Sequence, residues 1–293
     1  MMERKLVVVD HQGYGDFLTI QTAIDAAAPS SHGCLILIRE GVYYENIHVN
    51  KPNLTLVGEP GKGVSVVSDQ QSKNNGTGAR SFSASPAPAL ITGDDFSAEN
   101  IVFVNAAPSP AGSEEAAALC IQADRVQFHH CGFLSCRTAV KTAPLALRSV
   151  KTSDFQSSGS QVGRHYFKGC YIEGRIDISA ASSLSVFEYC KIHSSIHRAD
   201  HGGGTIAAAW GPREKGLGYV FLNCIIAPDV PTSHLQSAPI WKNERKPSGL
   251  SYKRHLMSEQ HPVFTKAESH KFSLENIFKD ASWCKGTQME AIV

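Results

Sequence analysis

The chain has 293 residues, enough for one large domain or two small ones, and the absence of a linker-like low-complexity segment favours one. Its 28 Lys and Arg residues balance 27 Asp and Glu residues, so the net charge of +1 gives no reason to expect nucleic acid or an anionic membrane as a partner. The first apolar run, residues 6–9, is far too short for a secretory signal, and no later run approaches the length of a membrane span. We therefore expect a cytoplasmic protein with no signal peptide in this chain.

The cysteines and histidines give no metal-binding pattern. The eight cysteines, at positions 34, 120, 131, 136, 170, 190, 224 and 284, include no CxxC pair and no Cys/His spacing suited to zinc. We expect reduced thiols, most of them buried, and neither a metal nor a cofactor. Histidines can act as general bases or metal ligands, but no known ligand set has the spacing of His129, His130, His165, His193, His197 and His201. On a strand His129 and His130 would point to opposite faces, so solvated or core histidines are the simpler interpretation.

The first sixty residues combine one helix with several short strands. Residues 6–10 form a β-type run, residues 13–17 a turn, and residues 19–28 an amphipathic helix with apolar residues at helical spacing. Further strands are predicted at residues 34–39, 47–49 and 54–57, with a turn at residues 41–46. No second helix of this quality is predicted before the C-terminal end.

A repeated strand pattern organises the rest of the chain. It places phenylalanines at 103, 128, 167, 187 and 221 and cysteines at 131, 170, 190 and 224. The irregular spacing is typical of a solenoid with coils of about 20 residues and loop insertions. We predict an all-β fold, a right-handed parallel β-helix capped by the early helix. A β-sandwich is the rival, but it needs only alternation, whereas stacked coils require the same small residue at one register position.

Five segments of the chain carry recognisable motifs. Residues 10–28 combine a strand, a GxGxF-type turn and a helix, and residues 41–45 have the sequence GxYxE. Together with residues 91–103, 170–174 and 272–283, these motifs resemble those of the pectinesterases, the pectin methylesterase family. The resemblance implies a pectin-lyase-like β-helix and one domain over residues 1–293. Residues 1–30 would be the first strand and cap helix, and residues 267–293 a tail packing on the solenoid.

The family's catalytic residues are mostly replaced in this chain. The resemblance places Asp177 at the nucleophilic Asp, Thr138 at the acid Asp, and Arg137 and Glu115 at the two oxyanion-stabilising Gln positions. Thr cannot deliver a proton near pH 7, and a carboxylate at the second Gln position would repel a developing oxyanion. Residues 237–241 best fit the family's LGRPW segment, keeping Trp241 and losing the Arg.

These positions define the candidate site. We predict catalytic roles for Asp177, Arg137 and Glu115, and substrate binding by Thr138, Lys141, Tyr166, Trp210, Trp241 and His201. Each has a structural alternative: Asp177 as a turn or strand-edge residue, Arg137 and Glu115 as an ion pair, and the aromatic residues as anchors of the core or of loops. The long loops at residues 71–88 and 242–262 could contribute to a binding surface.

Three functions remain open from the sequence. The first is a cofactor-independent enzyme that acts on a small molecule in specialised metabolism, as a cyclase, isomerase or lyase that could include pericyclic chemistry, and no longer de-esterifies pectin. The second is a carboxylic ester hydrolase that uses Asp177 with an acid foreign to the family, such as Glu115. The third is a carbohydrate-binding protein without activity. We expect a small-molecule substrate and a monomer or weak homodimer.

Overall fold

The computed structural model describes residues 5–28, 33–69, 87–107, 117–143, 145, 162–174, 176–180, 183–194, 205–209, 218–228 and 273–284. Only the backbone is described for residues 176–180, 194, 205–209 and 226–228. Within these ranges the helices are α1 (Ile20–Ala26) and α2 (Leu274–Phe278). Neither of these described helices is long and apolar enough to cross a membrane.

Three parallel sheets make up the rest of the described structure. Sheet A contains β1 (Lys5–Val9), β2 (Cys34–Ile38), β5 (Leu54–Gly58), β8 (Ser97–Glu99), β11 (Val126–His129), β14 (Gly163–Lys168), β17 (Ser183–Glu188) and β20 (Gly218–Leu222). Sheet B contains β3 (Gly41–Tyr44), β6 (Val64–Ser68), β9 (Val102–Asn105), β12 (Gly132–Ser135), β15 (Tyr171–Gly174), β18 (Lys191–Ser194) and β21 (Ile225–Pro228). Sheet C contains β4 (Ile47–Val49), β7 (Ala89–Ile91), β10 (Ala117–Ile121), β13 (Thr138–Thr142), β16 (Ile176–Ala180) and β19 (Thr205–Ala209).

From β2 onward the chain visits sheets A, B and C in turn, and each strand pairs in parallel with the strand one coil away. The prediction of an all-β parallel β-helix is confirmed. Residues 41–44, predicted as part of a turn, instead form β3, because they pair in parallel with β6.

Phenylalanines stack along the interior of sheet A. Phe128, Phe167, Phe187 and Phe221 are in register, with successive ring centroids 5.2, 4.6 and 5.0 Å apart. Phe103 was predicted to share this column, and that prediction is wrong. It lies in β9 of sheet B, where its ring stacks on that of Phe133 at 5.7 Å.

The predicted cysteine ladder follows sheet A at its corner with sheet B. Cys170, Cys190 and Cys224 each donate a thiol hydrogen bond to the carbonyl of the Phe one coil earlier, at sulfur–oxygen distances of 3.5, 3.4 and 3.3 Å. A left-handed residue precedes Cys190 and Cys224, which allows the chain to turn sharply into the next sheet. All eight cysteines are free thiols and six are buried, as predicted.

The N-terminal end of the solenoid is closed by side chains of the motifs noted above. The Gln21 carboxamide accepts from the His48 amide at 2.7 Å and lies 3.4 Å from the His48 carbonyl, so it occupies the free edge of sheet C at β4. The Glu45 carboxylate accepts from the amides of Ile20 and Gln21 at 2.8 and 2.9 Å and caps α1. This helix covers residues 20–26 of the predicted 19–28, and Thr19 is its N-cap.

The C-terminal segment packs on the outer face of sheet A. Phe278 of α2 joins Tyr166, Val186 and Val220 in a buried apolar cluster that is separate from the main core, and Trp283 packs against it. The described part of the predicted tail, residues 273–284, therefore covers three neighbouring strands of this sheet.

Candidate functional site

The outer face of sheet C carries one row of side chains that includes both apolar and basic residues. In this row His48, Leu90, Cys120 and Lys141 are in register. The adjacent row, Ile47, Ala89, Leu119 and Val140, belongs to the main core. Because side chains alternate along a strand, the row with Lys141 faces outward. In register it continues to the backbone of Ser179 and Ala208.

Three of the predicted site residues lie on neighbouring strands at one end of sheet C. Arg137 is in the turn between β12 and β13, where its amide donates to the Ser135 hydroxyl at 3.1 Å. Thr138 begins β13, is buried, and is the register partner of Ile176 in β16. Asp177 follows Ile176 in β16, so its backbone lies one residue beyond the register partner of Thr138 on the adjacent strand.

The charge of this face is uneven. Among the strands of sheet C that the structure describes, Asp177 is the only acidic residue. Lys141 is on β13, and Arg137 directly precedes that strand. Thus one acidic residue lies on β16, and two basic residues lie on β13 or directly before it.

An apolar cluster borders this charged area. Ala87, Ala117 and Cys120 are buried together outside the main core, with Leu90 packed against them. Cys120 is the register partner of Lys141, so the apolar cluster and the cation occupy adjacent strands of the same face. Such a face can contact the apolar part of a ligand next to its charged part.

The Pectinesterase family model matches residues 6–144 of the chain. Pectinesterase 31 of Arabidopsis thaliana is 28% identical over 254 residues, which cover 82% of this chain and 71% of that protein. Pectinesterase QRT1 of the same plant is 31% identical over 233 residues, which cover 76% of this chain and 56% of that protein. The chain belongs to the pectinesterase family. It spans only a little over half the length of some of these relatives.

Solved structures of the pectinesterase family share the fold. Pectin methylesterase from carrot superposes with a TM-score of 0.63 at 22% identity and covers 82% of this chain and 69% of the carrot chain. The pectin methylesterase of Erwinia chrysanthemi has a TM-score of 0.70 at 16% identity and covers 96% of this chain and 98% of its own. At this identity the likeness establishes the β-helix and leaves the chemistry to the site.

Tyr166 corrects one of the predictions. It was expected to bind substrate, but it lies on sheet A, is only 1% exposed, and packs beneath Phe278. Its hydroxyl donates to the Glu188 carboxylate. A side chain covered in this way cannot stack on a ligand, so Tyr166 is an anchor for the C-terminal segment.

The other predicted positions divide into two groups. Glu115, Trp210, Trp241 and His201 lie outside the described residues, as do His197 and most of both predicted long loops. His193 lies on sheet B, with Nδ1 3.2 Å from the Tyr171 hydroxyl and 3.5 Å from Glu173, so it is on a different sheet from Asp177. Within the described ranges there is no cluster of three or more His, Cys, Asp or Glu residues that could hold a metal ion.

Two histidines are buried rather than placed at a site. His129 and His165 are in sheet A, and burial lowers the pKa of each to about 4, so both are neutral at pH 7. His130, predicted on the opposite face of the same strand as His129, lies beyond the strand in the left-handed turn.

A charge network at the corner between sheets C and A was not predicted. Arg125 forms a bidentate pair with Asp95, at 2.5 and 2.6 Å, and also contacts Asp124 at 2.9 Å. Asp124 accepts from Arg164 at 2.9 and 2.6 Å. Burial alone would raise the pKa of Asp124, but the hydrogen bonds from Arg164 outweigh it and hold the pKa below its ordinary value. The Asp-Arg sequence at 124–125 was the one local signal of this network.

We expect Asp124→Asn to lower the free energy of unfolding by about 1–3 kcal/mol, because it leaves the partly buried guanidinium of Arg164 without its ionic partner. Urea unfolding monitored by tryptophan fluorescence measures this loss. The control Glu40→Gln removes an exposed pair with Lys62 at 3.5 Å, for which we expect less than about 0.5 kcal/mol. Equal effects of the two substitutions would show that the network does not stabilise the corner.

Proposed function

We propose that this chain is a carboxylic ester hydrolase whose nucleophile is Asp177. The observation that carries the proposal is the position of Asp177, the only acidic residue of the described strands of sheet C. Its strand pairs with β13, which contains Thr138 and Lys141 and directly follows Arg137. Membership of the pectinesterase family supports the reaction class.

In the proposed reaction the Asp177 carboxylate attacks the ester carbonyl, and the carbon–oxygen bond to the alcohol breaks. The acyl group remains on Asp177 until water attacks it and releases the acid. Arg137 and Lys141 are the cations that would hold the ester and stabilise the negative charge that develops on its oxygen. The departing alcohol needs a proton, and Glu115 is the sequence-based candidate for that donor.

Thr138 is the residue that separates this chain from the mechanism implied by the resemblance. Its hydroxyl has a pKa far too high to protonate a leaving group at neutral pH. The proton must come from elsewhere, so esters of acidic alcohols or phenols, which leave without full protonation, are better substrates than methyl esters.

The expected preference for phenyl esters over methyl esters gives a direct test. We predict that the purified chain cleaves a phenyl or nitrophenyl ester faster than the methyl ester of the same small acid, by about 10²-fold, the range of a missing general acid. Release of phenol, methanol and acid by chromatography measures both reactions. Thr138→Asp should raise methyl ester cleavage more than phenyl ester cleavage. No ester cleavage by either protein would reject the hydrolase.

A second candidate is supported by the apolar cluster beside Lys141. A face with Ala117, Cys120 and Leu90 next to a cation suits a small, partly apolar anion, and the absence of an acid at Thr138 suits a reaction that needs no leaving-group proton. This candidate is a cofactor-independent cyclase, isomerase or lyase acting on a specialised metabolite. Conversion of a small molecule without uptake of water, seen as a product that lacks ¹⁸O after reaction in H₂¹⁸O, would favour it over the hydrolase. Binding of oligogalacturonides without turnover would favour the carbohydrate-binding alternative.

A further inference from the structure

The interior of the solenoid contains a polar network that links sheets A and C. Its members are Thr142 at the end of β13, Ser183 and Ser185 in β17, and His165 in β14, and all four side chains are buried. The oxygen–oxygen distances are 3.0 Å from Thr142 to Ser183 and 3.4 Å from Ser183 to Ser185. His165 Nδ1 is 3.2 Å from the Ser185 hydroxyl, and its Nε2 is 3.0 Å from the Ala123 carbonyl.

The carbonyl at one end fixes the direction of every hydrogen bond in the network. A carbonyl oxygen only accepts, so Nε2 of His165 must carry the proton and Nδ1 of the neutral ring must accept from Ser185. Ser185 has then used its only proton, so it accepts from Ser183, which in turn accepts from Thr142. The network is therefore a one-way chain that starts on β13 and ends on His165.

We propose that this hydrogen-bond network makes β13 sensitive to acid. A proton taken up by Nδ1 of His165 reverses the direction of the hydrogen bonds and loosens the strand at Thr142. A protonated Nδ1 donates to Ser185, and the Ser185 proton then has no acceptor in the network other than Ser183. When Ser185 donates to Ser183, Ser183 in turn donates to Thr142. The Thr142 hydroxyl is left with a proton and no partner in the chain. The 3.4 Å contact between the two serines is the longest hydrogen bond of the network. If the hydrogen bonds do not reverse, this is the one that breaks.

Among the described residues, Asp124 is the one charged group that shifts the pKa of His165. Burial lowers the pKa of His165, while the hydrogen bond to the Ala123 carbonyl and the charge of Asp124, at the turn before β11, raise it. Asp124 itself pairs with Arg164 and Arg125. Tyr219 of β20 is in register with Ser185 and is neutral, because burial raises its pKa. Interior residues of sheet B, such as Phe133 and Ile172, belong to the apolar core. Burial thus outweighs the attraction of Asp124 and keeps His165 neutral at pH 7.

The pKa of His165 sets the pH range in which β13 would open. The folded chain holds His165 at a pKa of about 4, below the ordinary 6.5, so the stabilisation is complete above pH 6.5 and is lost as the pH falls towards 4. An open form with an ordinary His165 would become about twentyfold more populated between pH 7 and pH 5. Because Thr142 directly follows Lys141, this opening would reach the outer face of sheet C. The inference does not depend on the proposed ester hydrolysis.

An NMR spectrum of the unmodified protein tests the direction of the hydrogen bonds in the network. In ¹⁵N-histidine NMR at pH 7, we predict that His165 shows a protonated Nε2 and a hydrogen-bonded, unprotonated Nδ1, and that this pattern persists to pH 5.5. A protonated Nδ1 at pH 7 would overturn the proposal. This measurement needs no variant, so a substitution that fails to fold cannot obscure it.

Hydrogen exchange tests the link to β13. After correction for the intrinsic rate, we expect the amides of β13 to exchange about twentyfold faster at pH 5 than at pH 7 in the wild type. In His165→Gln, whose amide keeps one donor and one acceptor but takes no proton, the rates should not depend on pH. Thr142→Val should protect β13 while leaving β17 sensitive to acid.

His129→Gln is the matched control. His129 is the other buried histidine with a pKa of about 4, but it bonds to Gln127 on the outer face of sheet A and is not part of the hydrogen-bond network. We expect acid-dependent exchange of β13 to remain in this variant. Loss of it in His129→Gln, or its persistence in His165→Gln, would show that His165 does not control the strand.

Discussion

Phe167→Ala is expected to lower the free energy of unfolding by about 3–5 kcal/mol, the largest stability effect of any single substitution considered. The Phe167 ring is fully buried between Phe128 and Phe187, with centroids at 5.2 and 4.6 Å, and the edge of Phe133 approaches at 5.8 Å. Its removal leaves a cavity that neighbouring coils cannot fill, because each coil is held by parallel pairing on both sides. Equilibrium urea unfolding measures the loss.

Tyr44→Ala is the control for this substitution. Tyr44 is also an aromatic residue on a strand, but it is 81% exposed. We expect a change below about 0.5 kcal/mol. A loss of less than about 1 kcal/mol in Phe167→Ala would mean that the phenylalanine column contributes little to the cohesion of the coils.

Asp177→Asn is expected to lower kcat/KM for ester cleavage by at least about 10³-fold, because an amide of the same shape cannot attack a carbonyl or carry an acyl group. The chain fold should be unaffected, since β16 keeps its parallel pairing with β13 and β19. Initial rates with a nitrophenyl ester measure the effect, with circular dichroism as the check on folding.

Asp69→Asn is the control for the carboxylate. Asp69 is exposed and follows β6 of sheet B, two coils before β12. Its substitution should leave kcat/KM within about twofold of the wild type, since exposed surface changes seldom affect function or stability. A similar loss in both variants would point to a general effect of charge rather than to Asp177.

The fold was predictable because each coil repeats the same local chemistry at one corner. A Phe, a turn residue and a Cys mark the passage from sheet A to sheet B in four successive coils, so a solenoid follows from the sequence. Phe103 was misplaced because the strand containing it has the same alternation but no following Cys. Alternation places a residue on the inner or outer side of a strand, whereas the turn chemistry decides which sheet the strand joins.

The site was predictable only in part. The neighbouring positions of Arg137, Thr138 and Asp177 follow from motif spacing, because one coil separates β13 from β16. The prediction that Tyr166 binds substrate was wrong because the segment that covers it is more than one hundred residues away in sequence. The sequence around Phe278 gives no local sign of that contact. The pairing of Asp124 with Arg164 is equally non-local.

The most direct test of the proposed function is the first-turnover rate of alcohol release, measured by rapid quench with enzyme in excess over a small carboxylic ester. With Asp177 as the nucleophile, the wild type should release the alcohol no later than the acid, and folded Asp177→Asn should release alcohol at least about 10³-fold more slowly. Alcohol release by Asp177→Asn at the wild-type rate would contradict the assignment of Asp177 and, with it, the proposed ester hydrolysis at sheet C.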